Sequence, residues 1–175
     1  MKKFLIIPTI LLFVTAIILF ILSTTFFPVK HLSVIEKYSN AYSLNPILIS
    51  SIINVESNYN SKSVSDAGAV GLMQILPSTA EEIATKLNID NYDLFDVDTN
   101  IQFGCYYMSY LLNLYNNDES KALMAYNAGL GTVNHWISQN INSNDIPYKE
   151  TKDYLKKIEF NKIIYTKKIS KEAVF

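Results

Sequence analysis

The sequence predicts a mainly α fold in two parts, an apolar N-terminal segment over residues 1–28 and one helical domain over residues 29–175. Three observations lead there. No charged residue occurs from Phe4 to Val29. Beyond it, apolar residues recur at i, i+3, i+4 and i+7, and no run alternates in the manner of a strand. With 175 residues, 49% hydrophobic and 13% aromatic, the chain can build one well-packed domain but hardly two. There is no internal repeat or low-complexity segment.

The run from Phe4 to Phe27 is long enough to cross a hydrocarbon core of about 30 Å at 1.5 Å per helical residue. Its end, Ser23-Thr24-Thr25-Phe26-Phe27-Pro28, lacks the small residues of a signal cleavage site. An uncleaved single-pass anchor through residues 4–27 is therefore expected, rather than a removed signal. Lys2 and Lys3 would stay in the cytoplasm and residues 29–175 would lie on the extracytoplasmic side of the cell membrane.

Past the segment, 13 lysines face 16 acidic residues, so nucleic acid is a poor partner. The lysines concentrate between Lys149 and Lys171, where a solvated helix face is the plain reading and a contact with anionic lipid or wall polymer the sharper one. Cys105 is the single cysteine, which excludes an intrachain disulfide and a lipid-modified cysteine directly after the apolar segment. His31 and His135 have no metal-ligand spacing, so each reads as structural and no metal is expected.

In chain order, Leu32, Ile35, Tyr38 and Tyr42 mark a packing helix. Asn45 can cap the next one and Pro46 suits its first position, which predicts a helix from Pro46 to about Ser57. Ile49, Ile52, Ile53 and Glu56 then share one stripe, so the Glu56 carboxyl continues a face that points into the core. Desolvation there would raise its pKa towards about 6, as a proton donor near neutrality requires, whereas a solvated helix end would leave it ordinary. Gly68 and Gly71 bracket a tight loop in which Leu72-Met73-Gln74 could receive a polar ligand. Ser78 with Glu81 reads as a capping box for a helix buried through Ala80, Ile83, Ala84 and Leu87. The loop Asp90 to Asp98 lacks the spacing and glycine of a calcium loop, so its carboxylates are expected to cap and solvate. Asp98 is the expected cap of an amphipathic helix carrying Ile101, Gly104, Cys105, Met108, Leu111, Leu112 and Tyr115, with Gly104 marking a close helix approach. A short helix over Ser120 to Tyr126 should end at a left-handed Gly129. Val133, Trp136 and Ile137 follow as core. After Ile146-Pro147-Tyr148 a last helix buries Tyr154, Leu155 and Ile158, and its pattern weakens past Phe160.

Several of these segments together resemble one family. Glu56-Ser57 is similar to the catalytic Glu-Ser of the soluble-lytic-transglycosylase (SLT-like) family, related in fold to goose-type lysozyme. Gly68-Ala69-Val70-Gly71-Leu72-Met73-Gln74 resembles its GAxGLMQ loop, and Pro77-Ser78-Thr79-Ala80 the start of its next helix. Asn100-Ile101 with Gly104 and Tyr107 resembles its NIxxGxxY helix. Ala125-Tyr126-Asn127-Ala128-Gly129 and Glu150-Thr151-Lys152-Asp153-Tyr154 are similar to its AYNAG and ETxxY motifs. That order over much of the domain makes chance similarity a poor explanation. One departure is Ser61-Lys62-Ser63, where the family often has proline and alanine.

The resemblance implies a lysozyme-like helical domain that cleaves peptidoglycan glycan strands at the β-1,4 bond between N-acetylmuramic acid and N-acetylglucosamine, leaving 1,6-anhydromuramoyl ends, with no cofactor. Glu56 would be the catalytic acid and base. Ser57, Met73, Gln74, Tyr126, Asn127 and Tyr154 would bind substrate or orient Glu56. Most glycosidases use two carboxylates, and here only Glu56 has a motif around it; Asp66 and Glu150 are the next candidates, both expected to be structural. A hydrolytic muramidase of the same fold and a non-catalytic membrane-anchored glycan-binding scaffold stay open as alternatives. Partner proteins from wall remodelling or a secretion machine are not identified by any motif.

Overall fold

The computed structural model describes residues 2–141 and 145–172, and side chains over 10–141 and 145–170. Eight helices are described: α1 Lys2–Phe26, α2 Leu32–Ala41, α3 Pro46–Ser57, α4 Pro77–Leu87, α5 Val97–Leu114, α6 Glu119–Ala128, α7 Leu130–Ser138 and α8 Lys149–Glu172. The fold is mainly α, as predicted.

Helix α3 is the centre. Its bounds are those expected, and the Asn45 side chain accepts from the Ile47 N–H at 2.9 Å while Pro46 occupies the first turn, where no donor is needed. Leu48 through Ile53 are all buried, because α3 is flanked by α2 on one side and packed along α8 on the other. Such a helix, covered nearly all round, can deliver a polar group only at its end. Asn58 and Tyr59 then take positive φ and turn the chain away.

Several boundaries differ from expectation for local reasons. Pro77 takes the first position of α4, so Leu76 stands at the cap without a side-chain bond and the Ser78–Glu81 capping box does not form. Asp96, not Asp98, caps α5 by accepting the Thr99 N–H at 2.9 Å. Asp98 instead pairs with Lys37 at 3.1 Å and accepts from the Tyr38 hydroxyl, tying α5 to α2. Gly129 has φ 86 and ψ 146, so it is extended with positive φ and joins α6 directly to α7, instead of adopting the expected left-handed cap. Helix α8 runs past Phe160 to Glu172 with Asn161 and Tyr165 buried; lysines interleaved with these positions mask the stripe in the sequence. Trp136 is buried edge-on against Tyr148, as core.

The predicted membrane span is not supported by the fold: among the described residues no helix is long and apolar enough to cross a membrane. The C-terminal end of α1 is nevertheless built into the domain. Asn54 of α3 donates to the Phe26 carbonyl at 2.9 Å, Lys168 of α8 to the Ser23 carbonyl at 2.8 Å, and the Tyr165 hydroxyl to the Pro28 carbonyl at 3.0 Å. The Phe26 carbonyl is one that the end of a helix leaves open, and the lysine suits the negative dipole end.

Candidate active site

Glu56 lies in the last turn of α3, one turn beyond Ile52 and Ile53, which are fully buried. It is only half-buried itself, so its carboxyl sits among protein atoms with a remaining opening to solvent. Burial pushes its pKa up from 4.5 to about 7, higher than the sequence suggested. The Tyr154 phenol of α8 works against this shift and the Glu150 carboxylate adds to it, both less than burial. Tyr154 faces Glu56 yet closes no hydrogen bond of normal geometry, leaving its buried hydroxyl without a made partner. A buried phenol aimed at a carboxyl is a donor in waiting, and it gains a bond when Glu56 ionises. Of the two other acids considered, Glu150 is the one that acts on Glu56; Asp66 is exposed and does not contribute to the shift.

The loop facing α3 is held by backbone pairing that the sequence did not reveal. Val70 and Ile75 exchange N–H to O bonds of 3.0 Å, and isolated bridges join Val64 to Val70 and Val70 to Ile75. Gly71 has φ 81, and a Cβ there would lie 2.3 Å from the Asn100 side-chain nitrogen and 2.5 Å from the Leu94 carbonyl. Only glycine fits both demands. Asn100, buried at the start of α5, uses three of its bonding positions: Nδ2 donates to Val70 O at 2.9 Å and Leu94 O at 2.8 Å, and Oδ1 accepts from Met73 N at 2.8 Å.

The predicted site residues are brought together, though several face inward. Met73 is fully buried, and a Cβ on Gly104 would lie 2.2 Å from its sulfur. The close approach at Gly104 is therefore to the Gly71 loop, not to another helix, and the Met73 side chain supports the loop from beneath. The Ser57 hydroxyl lies 2.8 Å from the Leu72 carbonyl and 3.1 Å from the Ile53 carbonyl, stitching the loop to the end of α3. Gln74, with φ 49, donates to the Gly71 carbonyl at 2.8 Å. From the opposite wall the Tyr126 hydroxyl donates to the Met73 carbonyl at 2.8 Å, and Glu56 raises the Tyr126 pKa further above what burial alone does. Gln74, Thr79, Tyr107, Tyr126 and Asn127 line a cavity of about 270 Å³ beside this wall.

Sequence reasoning treated Asn100 and Tyr107 as motif letters without a task and passed over Thr79 as a site residue. The available signal was Asn100 itself, an amide one position before Ile101 on a helix that is otherwise apolar where it is buried. Among the described residues no cluster of three His, Cys, Asp or Glu side chains could hold an ion.

Known proteins are similar to this chain in sequence and in fold. The soluble lytic murein transglycosylase of Escherichia coli K12 is 32% identical over 143 residues, covering 75% of this chain and 22% of its own length. The membrane-bound lytic murein transglycosylase C of Photorhabdus laumondii is 34% identical over 116 residues, covering 59% of this chain and 32% of its own. Among solved structures, an inactive glutamate-to-glutamine mutant of the lytic transglycosylase Slt from Pseudomonas aeruginosa superposes with a TM-score of 0.79 at 29% identity, over 85% of this chain and 26% of that one. The 70-kDa soluble lytic transglycosylase in complex with bulgecin A gives 0.76 at 30% identity, over 82% of this chain and 25% of that one. This chain thus spans about a quarter to a third of the length of these relatives. The model of the transglycosylase SLT domain matches residues 33–149, from the start of α2 to the start of α8. By that match, the chain belongs to the transglycosylase SLT domain family.

Proposed function

We propose that the protein is a membrane-anchored peptidoglycan lytic transglycosylase in which Glu56 is both general acid and general base. The observation that carries this is a single carboxyl at the end of a buried helix, with its pKa raised to about 7 by desolvation, within electrostatic reach of Tyr126, which lines a walled cavity. Protonated Glu56 donates to the glycosidic oxygen between N-acetylmuramic acid and N-acetylglucosamine as the bond breaks. The acetamido group of the substrate stabilises the cationic centre, and Tyr126 and Asn127 hold that group from the opposite wall. The Glu56 carboxylate then takes the proton of the C6 hydroxyl, whose oxygen closes the 1,6-anhydro ring. Tyr154 donates to the carboxylate while it is ionised. Ser57, Met73 and Gln74 serve by fixing the loop, with Gln74 also lining the cavity. The relative from Pseudomonas aeruginosa, whose inactive form is a glutamate-to-glutamine mutant, is in keeping with one indispensable acid.

Mass spectrometry of released muropeptides tests the reading. Anhydro ends, lighter than hydrolysed ends by one water, are expected; predominantly reducing ends would mean hydrolysis. One observation favours that second reading, since Glu150 is close enough to Glu56 to raise its pKa and is the carboxylate that could activate water. A Glu150→Gln variant separates the two, because a transglycosylase keeps its product and a hydrolase loses its rate.

The anchor rests on α1. Every large apolar side chain from Ile10 to Leu22 is exposed, a surface far beyond what a monomer leaves in water, and the preceding residues back to Phe4 are uncharged. Retention of the full chain in membranes after alkaline washing, with the domain open to protease from outside, is the expected result. A soluble mature form beginning near Pro28 would overturn it.

A further inference from the structure

The end of α1 and the segment that leaves it enclose a cavity of about 480 Å³ against the last turns of α8. Phe20, Ser23 and Thr24 line it from α1 at i, i+3 and i+4, with Phe27 one turn further on. Lys168 of α8 forms the opposite wall and donates to the Ser23 carbonyl at 2.8 Å. Phe27 meets Phe160 and Tyr165 of α8 edge-on, with ring centroids 5.9 Å and 6.5 Å apart, so the cavity has a fixed shape. Towards the N-terminus the same stripe of α1 continues through Ile17 and Phe13, both exposed. At the other end the cavity is closed by Val29 and Lys30. Lys30 is exposed and among the described residues is in no ion pair, and no acid is among the described residues that line the cavity. The site is therefore graded along one stripe, apolar from Phe13 to Phe20, then hydroxyl-bearing at Ser23 and Thr24, then cationic at Lys30.

We propose that this cavity binds an anionic phospholipid of the bilayer, with Lys30 meeting its phosphate group and its acyl chains lying along Phe13, Ile17 and Phe20. The inference rests on the anchored reading of α1 above. A water-soluble anion would use Lys30 and leave the three large apolar side chains uncovered. An apolar partner helix would cover them and give the lysine no charge to meet. A phospholipid supplies both parts, and in the right order. With α1 in the bilayer through residues 4–27, the stripe runs from headgroup level at Thr24 down into hydrocarbon at Phe13, the direction in which a lipid of that leaflet points. Phe27, held by α8 at the upper end, stands where aromatic side chains meet the membrane surface. Lys30 selects an anionic headgroup over a zwitterionic one, whose own ammonium group would oppose it. Lys168 serves by holding the α8 wall against the carbonyls of the α1 end.

The test uses the full chain in nanodiscs of phosphatidylcholine with a minority of phosphatidylglycerol, and native mass spectrometry identifies the lipid that the released protein retains. Relative to the amounts present, phosphatidylglycerol is expected to be retained about fivefold over phosphatidylcholine, with the preference lost in Lys30→Ala and kept in Lys30→Arg. Equal retention of the two lipids by the wild type, or an undiminished preference in Lys30→Ala, overturns the proposal. Glycerol phosphate has the charge of the headgroup without its chains. If it displaces phosphatidylglycerol at equal concentration, the cavity is a site for phosphate alone and the proposal falls. Should the full chain stay out of the nanodiscs, the anchor reading fails instead. The cavity is then judged by titrating short-chain phosphatidylglycerol and phosphatidylcholine, below their micelle concentrations, into the full chain: a preference for the former that Lys30→Ala loses supports the lipid site, and equal binding overturns it.

Discussion

The loop from Ser63 to Ile75 and the cavity of about 470 Å³ that Glu82, Lys86, Tyr107 and Tyr110 line over α4 and α5 are built on opposite plans. In the loop nearly every polar group is used internally. Asn100, Ser57, Gln74 and Tyr126 each spend their bonds on its backbone, and Met73 fills the space that Gly104 leaves open. In the cavity the ionic groups of Glu82 and Lys86 face water, and Tyr110 is largely exposed. A residue whose bonds are spent inside the protein sets shape, so changing it costs stability first and activity through it. A residue whose bonds are open to water can be changed with the fold left alone.

Glu56 is the exception on the internally bonded side, and there the largest effect is expected. Glu56→Gln should lower turnover by roughly two to four orders of magnitude with the fold retained, measured by product release and circular dichroism. Retention of most of the wild-type rate would remove the acid from the mechanism.

Next is Asn100→Ala, which strands the Leu94 carbonyl and the Met73 N–H in a buried place and leaves the Val70 carbonyl only its bond from the Ile75 N–H. A loss of about 3 to 5 kcal/mol is expected from urea unfolding. Glu82→Ala, by contrast, should stay within about 0.5 kcal/mol. Equal costs at the two sites would break the comparison.

The pH dependence follows from Glu56. Its folded pKa of about 7 lies above the ordinary 4.5, so between those values the folded state binds more protons than the unfolded one. Stability therefore falls as pH rises from 4.5 and levels off above 7, by at most about 3 kcal/mol. Chemical unfolding across that range should show the slope in wild type and not in Glu56→Gln. In the proposed mechanism the acid form starts the reaction, so kcat/KM should decline above about pH 7.

Gly104→Ala brings a Cβ to 2.2 Å from the Met73 sulfur. The thioether can shift, so about 1 to 3 kcal/mol is expected, with a partial loss of rate as the loop moves. The smallest effect is Tyr154→Phe. Its hydroxyl makes no hydrogen bond in the resting site, so stability should be unchanged within about 0.5 kcal/mol. The phenol lowers the Glu56 pKa, so its removal should move the alkaline limb of the rate profile upward. A downward move would mean that Tyr154 does not address the carboxylate.

Much of this was legible before any coordinates. Asn45 and Pro46 set the start of α3, the stripe of Ile49, Ile52 and Ile53 set the direction of Glu56, and the ordered motifs named the family, because caps, periodicity and glycines act over a few residues and leave local marks. Three-dimensional packing decided the rest. It put Asp96 and not Asp98 at the head of α5, carried α8 on through Tyr165, turned Met73 and Ser57 inward, and set Glu150 instead of Asp66 within electrostatic reach of Glu56. It also joined Thr79 and Glu82 of α4 to Tyr107 of α5 in one cavity. A pKa and a cavity depend on groups far apart in the chain, through desolvation and charge that no single segment encodes, so the sequence determined which residue carries the acid and only the tertiary structure decided what surrounds it.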